Sequence, residues 1–182
     1  MLDKYIGNAK TRGFVEWIVA GGLAFFAYLI LSKYVYATAE ISGPSMNPTL
    51  HHGERVIINK LVYLFDEPQK GDIIAFPYPA NPLDKHVKRI IGEPGDLIEI
   101  QGNEFYVNGQ LLEDGFVVDE LVSVGDITYP VSVGEDEYFV LGDNRNNSKD
   151  SRSSLVGLIQ KENIIGKIWV RFFPFDSIGF VE

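Results

Sequence analysis

One unbroken apolar run decides most of what this chain can fold into. Trp17 to Leu31 (WIVAGGLAFFAYLIL) is 15 residues of apolar side chains and glycine. Taken from Phe14 to Tyr36 the stretch is 23 residues, interrupted by Glu16, Ser32 and Lys33. A helix rises about 1.5 Å per residue, so it reaches about 34 Å, enough for a hydrocarbon core of about 30 Å. Three readings compete. A helix that is apolar all round needs a larger protein to bury it. A cleavable leader fits the order of basic start, apolar run and Ala37-Thr38-Ala39, an A-x-A pattern. Against it, the run is longer than the usual leader core of about 7–15 residues. A retained anchor is the preferred reading. Lys4, Lys10 and Arg12 precede the span and only Lys33 lies at its far end, which predicts a cytoplasmic N-terminus. The expected organisation is a cytoplasmic segment over 1–13, a transmembrane anchor over 14–36 and an extracytoplasmic domain over 37–182, with the protein in the plasma membrane.

Charge follows the same division. The net charge of −9 resolves into +2 for residues 1–36 and −11 for residues 37–182. An acidic chain of this kind is not a general nucleic-acid binder. With no cysteine, a disulfide framework, a thiol nucleophile and a thiolate metal site are excluded. No Lys or Arg lies between Arg89 and Arg145, and residues 93–137 hold 12 Asp and Glu. Such a single-sign block is repelled by anionic lipid headgroups. It reads as a solvated acidic lobe, about 97–137, pointing away from the membrane.

The outer part reads as β. Runs such as 55–63, 72–76, 97–100, 137–141 and 167–173 are short, apolar and bounded by turn residues. Phe105-Tyr106-Val107, then Asn108-Gly109, then Gln110-Leu111-Leu112 is a hairpin signal, because Asn-Gly fits a type I′ turn. Many short strands at this spacing predict a mostly β fold, an antiparallel sheet or barrel-like core.

Three polar segments are candidates for chemistry. In Ser42–Leu50, Gly and Pro brace a loop that can hold Ser45 rigid and exposed. Taken alone, it reads as an ordinary loop serine. In His86–Asp96, strand alternation puts His86, Lys88 and Ile90 on one face and Val87, Arg89 and Ile91 on the other. A lysine in apolar surroundings loses basicity and can act as a neutral amine near physiological pH. A surface lysine is the commoner case. Gly142–Arg152 follows an apolar strand and is rich in donors and acceptors. It fails the calcium-loop pattern, since Arg145 takes the second ligand position and Ser148 the expected glycine. Asn146-Asn147-Ser148 is a glycosylation sequon, a weak pattern. A buried network in which Asp143, Asp150, Arg145 and Arg152 pair with one another fits better. His51, His52 and His86 suggest neither a Ser–His–Asp triad nor a zinc motif.

In order behind an anchor, SGPSMNPTL (42–50), GDIIAF (71–76), KRIIGEPGD (88–96) and GDNRNNSKDSR (142–152) resemble type I signal peptidases. These are membrane-anchored Ser/Lys proteases, and the short insert is similar to the compact Gram-positive form. The resemblance implies a β-rich catalytic core with a small inserted β lobe. It implies Ser45 as nucleophile, Lys88 as general base and Ser148 as the serine that hydrogen-bonds the lysine. Asp150 and Arg152 match supporting ion-pair residues, with Asp143 and Arg145 beside them. The implied activity is removal of signal peptides after small-x-small sites through an acyl-enzyme. The implied partners are preproteins and the lipid bilayer, with room for association with the export translocon. No cofactor or metal is implied. Some members carry a serine two residues before the nucleophile as an oxyanion donor. Here that position is Gly43, so the Ser45 backbone N–H and another backbone group are expected instead. An inactive anchored scaffold and a self-cleaving Ser/Lys regulator are the rival readings. The scaffold is expected to lose Ser45 or Lys88, and the regulator to carry a DNA-binding module.

Overall fold

The computed structural model describes residues 9–102, 104–113 and 123–181. Lys4, with the first eight residues of the expected cytoplasmic segment, and Asp114, Asp119 and Glu120 of the acidic block lie outside the described residues. The chain divides into two compact units, Met1–Tyr36 and Ala37–Glu182. The first is built on α1 (Ala9–Tyr34), 26 residues long. Its stretch Arg12–Leu31 has a mean hydropathy of 2.0, and none of it is buried by protein. An exposed apolar helix of that length is suited to lipid rather than water.

The second unit is antiparallel β, as its composition predicts. Its main sheet takes the order β1 (Tyr36–Glu40), β2 (Arg55–Asn59), β11 (Gly166–Phe173), β3 (Ile73–Tyr78), β4 (Asn81–Gly92), β9 (Glu137–Leu141) and β10 (Ile159–Gln160). β12 (Gly179–Phe180) pairs with β11. A second sheet has the order β7 (Gln110–Leu111), β6 (Glu104–Val107), β5 (Leu97–Gln101) and β8 (Val131–Ser132). The smaller sheet is inserted between β4 and β9, strands that pair directly in the main sheet.

The Asn108-Gly109 turn forms as expected, with φ of 53° and 75°, and it joins β6 to β7. Asn108 also accepts the Leu97 N–H through its side chain at 2.9 Å. One expectation needs correcting. The strand foreseen over 55–63 ends at Asn59, and α2 (Val62–Phe65) follows it. The Asn59 side chain accepts the Leu61 N–H at 2.9 Å, a local bond that turns the backbone out of the ladder. Tyr63 OH then donates to Asp72 at 2.8 Å.

Three apolar clusters hold the β unit. Met46 and Leu50 join Ile41, Val56, Ile58 and Ile168 in one, at 5% exposure or less. Ile74, Phe76, Ile90, Tyr138 and Val140 form the second. Ile98, Phe105, Phe139 and Leu141 tie the inserted sheet to the main one. Burying a side chain of this size is worth about 1.5–3 kcal/mol, so these clusters fix the strands on which the polar segments sit.

Candidate active site

The segment 42–50 is fastened at two points. Met46 and Leu50 are buried pegs at 1% and 0% exposure, and the residues between them form turns. Asn47 N–H donates to Pro44 C=O and Leu50 N–H to Met46 C=O. Thr49 Oγ1 donates to Asp143 Oδ2 at 2.5 Å. Ser45, immediately before the first peg, is left on the wall of an open cleft of about 550 Å³. The same cleft is lined by Ala39, Ile41, Leu83, His86, Val87 and Lys88 among others.

Lys88 comes from β4, where it pairs with Ile74 of β3. Its side chain is buried in the sheet and the residue is 3% exposed. Nζ lies 2.9 Å from Ser45 Oγ and donates to the Val87 carbonyl at 2.8 Å. Burial pushes Lys88 down to about 8 from an ordinary value of 10.5, while Asp150 and Asp143 pull in the opposite direction. His86, two residues earlier, stacks on Tyr78 at 4.4 Å and is pushed down to about 4, by burial first and by Lys88 second.

Two buried ion pairs flank this contact. The first joins Asp143 to Arg89, Nε to Oδ1 and Nη2 to Oδ2, both at 2.9 Å. Arg89 Nη1 also donates to the Gly71 carbonyl at 2.7 Å. The second joins Asp150 to Arg152 at 2.7 and 2.8 Å. Of the foreseen pairings Asp150–Arg152 forms, while Asp143 and Arg145 take other partners. Asp143 takes Arg89 from β4, and Arg145 lies over the Phe105 ring and donates to the Gly142 carbonyl at 3.1 Å. Arg89 and Thr49 were not among the expected site residues. The one sequence signal for Arg89 is that it adjoins Lys88, with its side chain on the other face of a strand.

Gly142 explains how these pieces come so close. A Cβ there would lie 2.3 Å from Ser148 Oγ and 2.5 Å from the Ser45 carbonyl oxygen. Its N–H donates to Asp150 Oδ2 at 3.0 Å, and Asn144 N–H donates to the Ser45 carbonyl at 3.1 Å. Ser148 Oγ is buried without a hydrogen-bond partner, so the expected bond to Lys88 is not made here. Gly43, at the oxyanion-donor position of some relatives, has φ of 84°, a left-handed conformation that serine rarely adopts. Its N–H donates to His52 Nδ1 at 3.2 Å.

Comparison with known proteins places the chain. The profile of the family described as "Signal peptidase, peptidase S26" matches residues 14–173. Signal peptidase I S of Bacillus subtilis (strain 168) is 36% identical over 179 residues, 93% of this chain and 95% of that protein. Signal peptidase IB of Staphylococcus aureus (strain Mu50 / ATCC 700699) is 38% identical over 178 residues, 90% of this chain and 91% of that protein. A crystal structure of a signal peptidase I from Enterococcus faecalis V583 aligns with a TM-score of 0.49 at 32% identity, over 57% of this chain and 97% of that one. By class, then, this is a β-rich peptidase with a single apolar N-terminal helix. It belongs to the signal peptidase, peptidase S26, family, and its enzyme class is signal peptidase I.

Proposed function

We propose that this chain removes signal peptides from exported preproteins by a Ser45–Lys88 dyad. The observation that carries the reading is the 2.9 Å approach of a buried lysine to a serine on a cleft wall. With a pKa of about 8, roughly one Lys88 in ten is neutral at pH 7. An unperturbed lysine would be neutral about 300-fold less often. The neutral amine accepts the Ser45 proton as Oγ attacks the scissile carbonyl. It then protonates the leaving amine, and later activates the water that hydrolyses the acyl-enzyme. The Ser45 N–H serves the oxyanion, a role for which Gly43 supplies no side chain.

The substrate lies extended in the cleft, between the segment 39–43 and the outer half of β4. Its small side chains before the cut face Ala39, Ile41, Met46 and Val87. That lining fits a small-x-small preference. The apolar helix keeps enzyme and membrane-bound substrate in one plane, with the N-terminus cytoplasmic and the β unit outside. Lipid and the export translocon are the neighbours this placement provides. Ala37-Thr38-Ala39 sits within β1, beside β2. That favours a link over a self-cleavage site, since a bound strand is a poor extended substrate. The test is a preprotein with an A-x-A site, offered to the full chain in detergent micelles. Ser45→Ala must abolish cleavage, and retained activity would sink the mechanism.

A further inference from the structure

The Asp150–Arg152 pair is held from outside by a segment the reaction does not use. Arg152 Nη1 donates to the Ser123 carbonyl at 3.1 Å. Asp126 N–H donates back to the Arg152 carbonyl at 3.0 Å. The Asp126 carboxylate accepts the Ser154 N–H at 2.6 Å and the Ser154 hydroxyl at 2.9 Å. Tyr129 OH donates to the Val124 carbonyl at 3.1 Å. Between these bonds sits Gly125, with φ of 92°. A Cβ there would lie 2.1 Å from the Arg152 carbonyl oxygen and 2.6 Å from Arg152 Cβ. Arg152 is 5% exposed although the residues that strap it down are themselves exposed.

We propose that residues 123–126 form a positioning strap for the Asp150–Arg152 pair, closed by Gly125, and that through this pair the strap tunes the field at Lys88. The chain of contacts is short. The strap and the Arg145 carbonyl together fix Arg152, Arg152 fixes and neutralises Asp150, and Asp150 holds the Gly142 N–H beside Ser148 and the Ser45 carbonyl. The charges that bear on Lys88 or line its cleft are Asp143 with Arg89, Asp150 with Arg152, His86, and Glu40, Asp84, Lys85 and Lys149 on the cleft wall. Of these, Arg152 is tied to the strap through the Ser123 carbonyl. Loosening it leaves Asp150 less compensated, which holds Lys88 protonated to higher pH. The base is then neutral less often, and activity at neutral pH falls.

This inference rests on Lys88 acting as the base, so its test reads Lys88 directly as well as activity. The full chain in micelles is assayed for kcat and KM from pH 6 to 10. Lys88 protonation is followed over the same range by competitive acetylation and mass spectrometry. For Gly125→Ala and Asp126→Ala, the expected result is an acid limb and an acetylation midpoint raised by about half a pH unit or more. That corresponds to a loss in kcat of about threefold at pH 7, recovered at high pH, with KM unchanged. Asp126→Asn keeps an acceptor for the Ser154 N–H and is expected to restore the profile. A wild-type acetylation midpoint in both alanine variants, or an equal loss of activity at every pH, overturns the strap. Should Gly125→Ala not fold, Asp126→Ala decides alone. Activity retained by Lys88→Ala overturns the dyad reading instead, and the acetylation midpoints still judge the strap.

Discussion

Replacing Lys88 by methionine isolates the cost of burying an amine from the role proposed for it. The side chain is 3% exposed and its pKa falls from 10.5 to about 8. Each pKa unit is worth 1.36 kcal/mol, so holding the lysine in place costs the folded state about 3 kcal/mol at neutral pH. Methionine has nearly the same length and no charge to desolvate. It forfeits the bonds to Ser45 Oγ and the Val87 carbonyl, at about 1 kcal/mol each. The net gain for Lys88→Met is therefore about 1–2 kcal/mol at pH 7. Its pH dependence is the sharper quantity. A lysine with a lowered folded pKa binds fewer protons folded than unfolded between pH 8 and 10.5. Wild-type stability thus rises with pH across that window, and the penalty is fully present only below it. From pH 7 to pH 10 the advantage of the variant should shrink by about 2–3 kcal/mol and change sign. Guanidinium melts of the full chain in micelles at a series of pH values measure it. An advantage that stays constant with pH would refute the reasoning, because it would mean the buried amine carries no desolvation cost.

Other expectations follow from the same geometry. Lys88→Arg should be inactive in the preprotein assay at every pH up to 10, because a guanidinium stays protonated. Thr49→Val removes one donor from buried Asp143 and should cost about 1.5–3 kcal/mol in thermal denaturation, with a lower kcat. Arg89→Ala leaves that carboxylate buried without its counter-charge and should cost about 3–5 kcal/mol. Gly142→Ala forces the Ser45 carbonyl and Ser148 apart and should lower kcat by about tenfold or more with the far-ultraviolet spectrum unchanged. Removing residues 1–36 should slow cleavage of a preprotein in liposomes far more than that of a soluble peptide.

Much of this was legible in the chain because local physics decides it. The apolar run of α1, the Asn108-Gly109 hairpin and the short apolar runs of β3, β9 and β11 are all short-range signals. The three polar segments were legible through resemblance rather than through pattern, since neither Ser45 nor Lys88 stands out alone. What escaped was set by register. Arg89 meets Asp143, 54 residues away, because β4 pairs with β9. α2 escaped because one side-chain bond from Asn59 outweighs the strand propensity of Leu61-Val62-Tyr63. The strap around Gly125 escaped for the same reason as Arg89: nothing near residue 125 in sequence announces Arg152.

The strand order has a consequence in time. β11, near the end of the chain, lies between β2 and β3, which come from its beginning. Ser45, Lys88 and the 142–152 segment therefore hang on a sheet that lacks a middle strand until residue 173 has emerged. At that stage Ala37-Thr38-Ala39 has long been made, while Ser45, Lys88 and the 142–152 segment are not yet held in register. By the time the cleft exists, that tripeptide is part of β1. The order of strands thus makes the Ser45–Lys88 contact a late event in folding, tied to a strand from the far end of the chain.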